Sequence, residues 1–98
     1  MDQLIQVLSK RGWCADDADW IKVLGQFKHI YRFRINASAA TLWCDQYPDR
    51  FLQQWDLGTL TAKIYDPWPV KPRYELKTYA TRDALLTAFE QQLDTLES

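Results

Sequence analysis

Two cysteines and one histidine are the residues of this 98-residue chain whose types could support covalent chemistry. A thiol attacks as its thiolate, so Cys14 or Cys44 would need His29 as the base that takes its proton. The three residues fall in different segments, and nothing in the sequence supplies a third group to orient such a pair. We therefore expect no catalytic residues and interpret the chain as a non-enzymatic protein.

Metal and cofactor sites also lack their sequence patterns. One histidine and two distant cysteines do not have the ligand spacing of a zinc site. The acidic residues at 16–19 do not match a calcium-binding loop, and the three glycines are too far apart to form a phosphate-binding loop. The sequence thus predicts no bound metal and no small-molecule cofactor.

Basic residues on alternating positions are the more substantial signal. Residues 28–36 alternate strictly, so a strand there would place His29, Tyr31 and Phe33 on one face and cations on the other. Segments 60–66 and 73–80 have the same pattern. Six cations of these three strands would form one basic face, namely Lys28, Arg32, Arg34, Lys63, Arg73 and Lys77.

Aromatic residues extend this predicted face. Tyr65 and Tyr79 would interleave with the cations, a combination that suits single-stranded nucleic acid. The sequence pI of about 5.7, however, lies well below that of a dedicated nucleic-acid-binding domain. Trp68, held between two prolines, is a candidate interface anchor, with packing over the core as the alternative.

The hydrophobic pattern predicts an α+β fold. The predicted helices are 2–11, 16–26, 38–46, 48–56 and a C-terminal amphipathic helix capped by Thr81. Gly12 would end the first of them, and Asp16, Asp17 and Asp19 would begin the second. Together the segments indicate a small, mostly antiparallel three-stranded sheet that is packed on one face by helices.

The order of these elements from residue 16 onward resembles that of a winged-helix domain. The resemblance implies that the helix at 48–56 enters the major groove of DNA, with Arg50, Gln53 and Gln54 as base readers. The proline-rich loop at 66–72 would be the wing. Nucleic-acid binding, through this arrangement or through the basic face, is therefore the alternative function.

Composition and charge favour a different main function. The length suits a single domain over 1–98, and 47% hydrophobic residues are enough for a core. The predicted strands sum to +5 and the predicted helices to −6, which predicts an electrically bipolar domain. No leader-like or membrane-spanning stretch is present, so we expect a cytoplasmic location and no membrane partner. We interpret the chain as a small adaptor- or inhibitor-type binding protein whose partner is another protein or a second copy of itself.

Overall fold

Seven antiparallel strands in the described part of the chain form one sheet, in which each strand pairs with its neighbours in sequence. The computed structural model describes residues 2–24, 28–44, 53–65 and 73–97. Helix α1 (Gln3–Lys10) precedes the sheet and helix α2 (Arg82–Glu97) follows it. The strands are β1 (Cys14–Asp16), β2 (Asp19–Leu24), β3 (His29–Asn36), β4 (Ala39–Cys44), β5 (Gln53–Asp56), β6 (Thr61–Tyr65) and β7 (Tyr74–Thr78).

The predicted three-stranded sheet is therefore wrong, because the structure has seven strands. Three of them, β3, β6 and β7, are the strands that the sequence pattern predicted, and β6 and β7 form the expected antiparallel pair. The other four lie where helices were expected, or in the short segment after the first helix. The outcome is an α+β fold with a much wider sheet.

The predicted helix at 16–26 is replaced by a β-hairpin. Asp17 adopts a left-handed conformation (φ 57°), which turns the chain between β1 and β2. Beyond the turn, residues of β2 alternate between the two faces of the sheet, with Trp20 and Leu24 on the same side. The spacing of Trp20, Ile21 and Leu24 is compatible with a helix as well as a strand, and pairing with β3 decides between them.

The predicted helices at 38–46 and 48–56 are also wrong over residues 39–44 and 53–56, where the structure has strands. Alanines at 39 and 40 favour a helix locally, but Ala40 is fully buried in β4 between β3 and β5. Gln53 and Gln54 lie in β5, so the proposed recognition helix of a winged-helix domain does not form over 53–56. Arg50 and the expected break at Pro48 lie outside the described residues, as does the proline-rich loop.

Both terminal helices agree with the prediction. Gly12 follows α1 with φ +85°, and the Trp13 N–H donates to the Leu8 carbonyl, which closes the helix. At the start of α2 the Thr81 hydroxyl accepts a hydrogen bond from the Ala84 N–H at 3.1 Å.

The two faces of the sheet have different environments. The inner face carries the buried apolar strand residues, and Phe89 of α2 lies against Phe33 of β3 and Trp55 of β5, with ring centroids 5.3 and 5.4 Å apart. Leu4 and Leu8 of α1 belong to the same buried cluster. The strand residues that alternate with these point to the other side of the sheet. We call that side the outer face, and on β2 it carries Asp19, Ile21 and Val23.

An ionic cluster connects the helices to the sheet on the inner side. Arg11, just after α1, bonds both Asp94 and Glu97 of α2, the latter at 2.8 Å. Lys22 of β2 lies 3.4 Å from Glu97 and donates to the Arg11 carbonyl. These contacts hold the end of α2 in place over β2.

Candidate functional site: the outer face of the sheet

The outer face collects four of the nine predicted binding residues. Arg32 and Arg34 lie on β3, while Lys63 and Tyr65 lie on β6, and all four share this face by register. Lys63 pairs with Leu76 of β7, so Leu76 lies on the outer face as well.

The other predicted residues do not join them. Lys77 pairs with Ala62, a buried inner-face residue, so it lies on the opposite side of the sheet from Lys63. Lys28 occupies a turn before β3 with φ 56°, and Arg73 precedes β7. Tyr79 is half-buried, and its ring stacks on that of Trp55 with centroids 6.3 Å apart. Burial raises the pKa of the Tyr79 hydroxyl, with a smaller contribution from the charge of Glu75.

Trp68 lies outside the described residues, so its role as an interface anchor stays a prediction. The catalytic candidates can be placed more fully. The rings of His29 and Tyr31 lie edge to face, with centroids 6.4 Å apart. Cys14 is an exposed free thiol on β1, and its Sγ lies 3.8 Å from the Gly12 carbonyl oxygen. The two residues lie on different register faces, so Cys14 and His29 do not form a thiol–imidazole pair. The side chain of the other candidate, Cys44, lies outside the described part of the structure.

Both arginines of the outer face are held by carboxylates. Arg34 Nε donates to Asp19 Oδ1 at 2.8 Å, and Arg32 donates to Asp19 Oδ2 at 3.2 Å. Asp16 of β1 lies 3.9 Å from Arg32. Hydrogen bonding to Asp19 raises the pKa of Arg34 further, so this guanidinium stays charged and paired.

The outer face is consequently not basic. Its described cations are Arg32, Arg34 and Lys63, and its described carboxylates are Asp16, Asp19 and Asp56. Three charges of each sign leave this surface neutral. The predicted division into basic strands and acidic helices fails because acids expected in helices lie on strands beside the arginines.

Exposed apolar side chains are the second property of this face. Four large apolar residues in the described part of the chain are exposed, and every one of them lies on the outer face. Two form a cross-strand pair between β2 and β3, Val23 (56% exposed) and Ile30 (37%). The other two, Tyr74 (51%) and Leu76 (53%), lie on β7 at the opposite edge.

Between these apolar areas lies a shallow concavity of about 500 Å³, which Leu76 and Ala39 line together with polar side chains. Its lining includes Thr41, Gln54, Asp56, Thr61 and Lys63. Asp56 is engaged locally, because the Gly58 N–H and the Ser38 hydroxyl donate to its Oδ1 at 2.7 and 3.2 Å. The concavity therefore offers hydroxyl, amide and ammonium groups rather than a pair of free carboxylates.

An aromatic pair borders the concavity. The rings of Tyr65 and Tyr74 are 5.3 Å apart, and the Lys63 ammonium lies 5.1 Å from the centre of the Tyr74 ring. Lys63 has no carboxylate partner in the described ranges. Lys63 and Tyr65 belong to the predicted mixture of cations and rings, and Tyr74, which is not among the predicted binding residues, lies beside them.

Several residues that define this face are not among the predicted binding residues. The sequence pattern places Asp19 at a helix start, and Ile21 and Val23 in the helix that follows. The alternation of Asp19, Ile21 and Val23 with Trp20, Lys22 and Leu24 was the available signal for a strand with two different faces. Tyr74 and Leu76 were recognised as strand residues, but their exposure depends on the lack of cover over β7.

Within the described ranges, no three His, Cys, Asp or Glu side chains are grouped so that they would bind a metal ion. Neither described helix has the length and apolar character needed to cross a membrane. No protein-family model, curated protein sequence or solved structure matches this chain.

Proposed function

We propose that this chain is a small, non-enzymatic, cytoplasmic binding protein that contacts another protein through the outer face of its sheet. The observation that carries this proposal is the position of the four exposed large apolar residues, all on one charge-neutral face. Exposed apolar residues gathered on one face are typical of protein-binding surfaces. The free, exposed thiol of Cys14 suits a reducing compartment.

Charge balance favours a protein partner over nucleic acid. A nucleic-acid surface needs cations that are available to phosphates, but Asp19 already engages both Arg32 and Arg34. Lys63 is the cation on this face without a carboxylate partner among the described residues. The face is neutral and exposes Tyr74, and aromatic residues are enriched at protein interfaces, whereas charged residues are depleted in their cores.

The variant that tests the apolar surface is Val23→Asp with Ile30→Lys. The two positions are directly opposite on β2 and β3, so the new side chains form a cross-strand ion pair that preserves strand pairing while removing apolar surface. Thr87→Asp, on the exposed side of α2, is the matched control. Both proteins should keep the unfolding transition of the wild type to within a few degrees.

A photoreactive amino acid at position 23, introduced in the source cells, should cross-link a specific protein. That protein, purified, should bind the wild type and the Thr87→Asp variant equally. Its affinity for the Val23→Asp/Ile30→Lys variant should fall at least about tenfold. Equal binding to all three proteins would overturn the proposal.

Titration with short single- and double-stranded oligonucleotides tests the alternative function. We expect no change in Trp fluorescence at low or moderate salt. Binding that weakens steeply with salt, and that Lys63→Gln reduces, would instead support nucleic-acid binding. Lys63 is a better target than Arg32 or Arg34, because substitution of either arginine would leave Asp19 without part of its ion pair.

A further inference from the structure

Strand β7 is an edge strand whose five residues are all exposed. Each residue pairs with β6 in one continuous register, without a bulge. Natural sheets usually protect such edges with short strands, bulges or prolines, since an open edge can pair with another chain. The opposite edge, β1, has three residues, so β7 is the longer of the two.

The backbone groups that face the open edge can be identified from the ladder. The Tyr79 N–H donates to the Leu60 carbonyl at 2.9 Å, which extends the β6–β7 register by one residue. Hydrogen-bonding groups of successive strand residues point to alternate sides, so residues 75 and 77 face β6. Tyr74, Leu76 and Thr78 therefore direct their N–H and C=O groups outward, where no described strand pairs with them.

The side-chain sequence of β7 is complementary to itself. In an antiparallel pair of two copies centred on Leu76, Glu75 of each copy lies opposite Lys77 of the other. Leu76 then lies opposite Leu76, and Tyr74 opposite Thr78, on the outer face. Neither Glu75 nor Lys77 has an ion-pair partner among the described residues of its own chain.

The neighbouring registers are disfavoured by charge. A two-fold axis perpendicular to the sheet keeps the outer faces of both copies on one side. Opposed residues then lie on the same face of β7, so the axis passes through a residue and never between two residues. Centring on residue 75 places two Glu75 carboxylates opposite each other, and centring on residue 77 does the same with two Lys77 ammonium groups. Like charges in directly opposite positions destabilise a strand pair, so of these three registers only the Leu76-centred one is free of repulsion.

We infer that this protein forms a homodimer in which the β7 strands of two copies pair in antiparallel orientation about Leu76. The pairing would add about six backbone hydrogen bonds and two cross-strand ion pairs, and it would join the two sheets into one. Exposed Leu76 and Tyr74 would bury part of their apolar surface against the second copy. The contact area is small, so the dimer should dissociate in the micromolar range.

This inference goes beyond the proposed function, because it uses the edge of the sheet and a second copy rather than the outer face and another protein. The proposed function and the proposed homodimer can therefore be disproved independently of each other. The Val23→Asp/Ile30→Lys variant should dimerise like the wild type, whereas β7 variants that block dimerisation should leave the surface around Val23 unchanged.

A charge exchange on β7 is the decisive experiment, with sedimentation velocity of the full chain over a concentration series as the readout. Glu75→Lys and Lys77→Glu should each raise the dimer dissociation constant at least about tenfold, since each places like charges opposite one another twice. An equimolar mixture of the two variants should recover the dimer as a heterodimer. The double variant Glu75→Lys/Lys77→Glu should dimerise like the wild type.

Cysteine cross-linking then tests the register, in a Cys14→Ser/Cys44→Ser background that has no other thiol. Opposed residues at a hydrogen-bonded position have Cα atoms about 5.5 Å apart, which suits a disulfide, so Leu76→Cys should oxidise to a covalent dimer. Tyr74→Cys should form that dimer only when mixed with Thr78→Cys. A wild type that stays monomeric at every concentration, or single charge variants that dimerise as tightly as the wild type, would overturn the inference.

Discussion

The carboxylate of Asp19 lies opposite Arg34 across the β2–β3 pair, with Arg34 Nε 2.8 Å from Asp19 Oδ1. Arg32, two residues away on the same strand, donates to the second oxygen of Asp19 at 3.2 Å. Asp19 is only 6% exposed. The hydrogen bond from Arg34 lowers the pKa of Asp19, burial opposes that effect, and Arg32 lowers the pKa further. The folded protein therefore holds a charged, nearly buried carboxylate between two guanidinium groups.

Asp19→Asn should destabilise the fold by about 2 kcal/mol at pH 7, because two arginines lose a charged acceptor. The folded-state pKa of Asp19 lies below its unfolded value, so its contribution is complete above the unfolded pKa. The contribution disappears as pH falls through the folded pKa. Urea unfolding at pH 7 and at pH 3 should show a smaller difference between variant and wild type at the lower pH.

Asp17→Asn is the matched control for Asp19, since Asp17 is exposed in the adjoining turn and asparagine tolerates its left-handed conformation. It should change the free energy of unfolding by less than about 0.5 kcal/mol. An Asp19→Asn protein as stable as this control would show that the pair contributes nothing measurable to the fold.

The extent to which sequence predicted this structure depends on where each segment finds its partners. β3 was predictable because its alternation is complete, with Tyr31 and Phe33 buried and Arg34 exposed. α1 and α2 were predictable because their start and stop signals are local, as at Thr81 and Gly12. These elements carry their information within a few residues.

β2 and β4 were not predictable in the same way. Asp19 is a strand residue because Arg34, fifteen positions later, holds it, and no local pattern contains that contact. Ala40 has a high helix propensity, but neighbours on both sides place it in a central strand. The neutrality of the outer face was unpredictable for the same reason, because it depends on acidic residues that only strand pairing brings beside Arg32.

Gly12→Ala should cost about 1 kcal/mol of stability. Gly12 ends α1 with φ +85°, a conformation that an L side chain adopts only with strain. A Cβ atom there would meet Lys22 Nζ at 3.6 Å, an ordinary contact, so the cost comes from the backbone and not from a clash. Thermal unfolding should show Gly12→Asn between the wild type and Gly12→Ala, since asparagine tolerates this region better. Equal stability of all three would contradict the strain.

Ala37→Gly should stabilise the protein by about 0.5 kcal/mol. Ala37 begins the two-residue turn between β3 and β4 with φ 55°, where glycine relieves strain that exceeds its entropic cost in the unfolded chain. Ala18→Gly is the control, because Ala18 lies in the equivalent turn between β1 and β2 without a positive φ. That variant should lose stability in the same urea titration, and a gain in both would point to an effect unrelated to φ.

Glu97→Gln should loosen the end of α2 over β2. Burial by itself raises the pKa of Glu97, but the hydrogen bond and charge of Arg11, together with Lys22, lower it below its ordinary value. The carboxylate therefore stabilises the fold above its unfolded pKa, and that contribution is lost as pH falls through the folded pKa. At pH 7 the variant should lose about 1 kcal/mol.

Amide hydrogen exchange locates this effect. The amides near Leu93 and Leu96 should exchange faster in Glu97→Gln at pH 7, while those of Phe33 in the centre of the sheet should change less. Glu90→Gln removes an exposed carboxylate from the same helix and should leave exchange unaltered. Because protonation of Glu97 removes the same charge, the difference between variant and wild type in urea unfolding should shrink as the pH falls towards 3. A difference that persists undiminished there would mean that the side chain acts through packing and not through its charge.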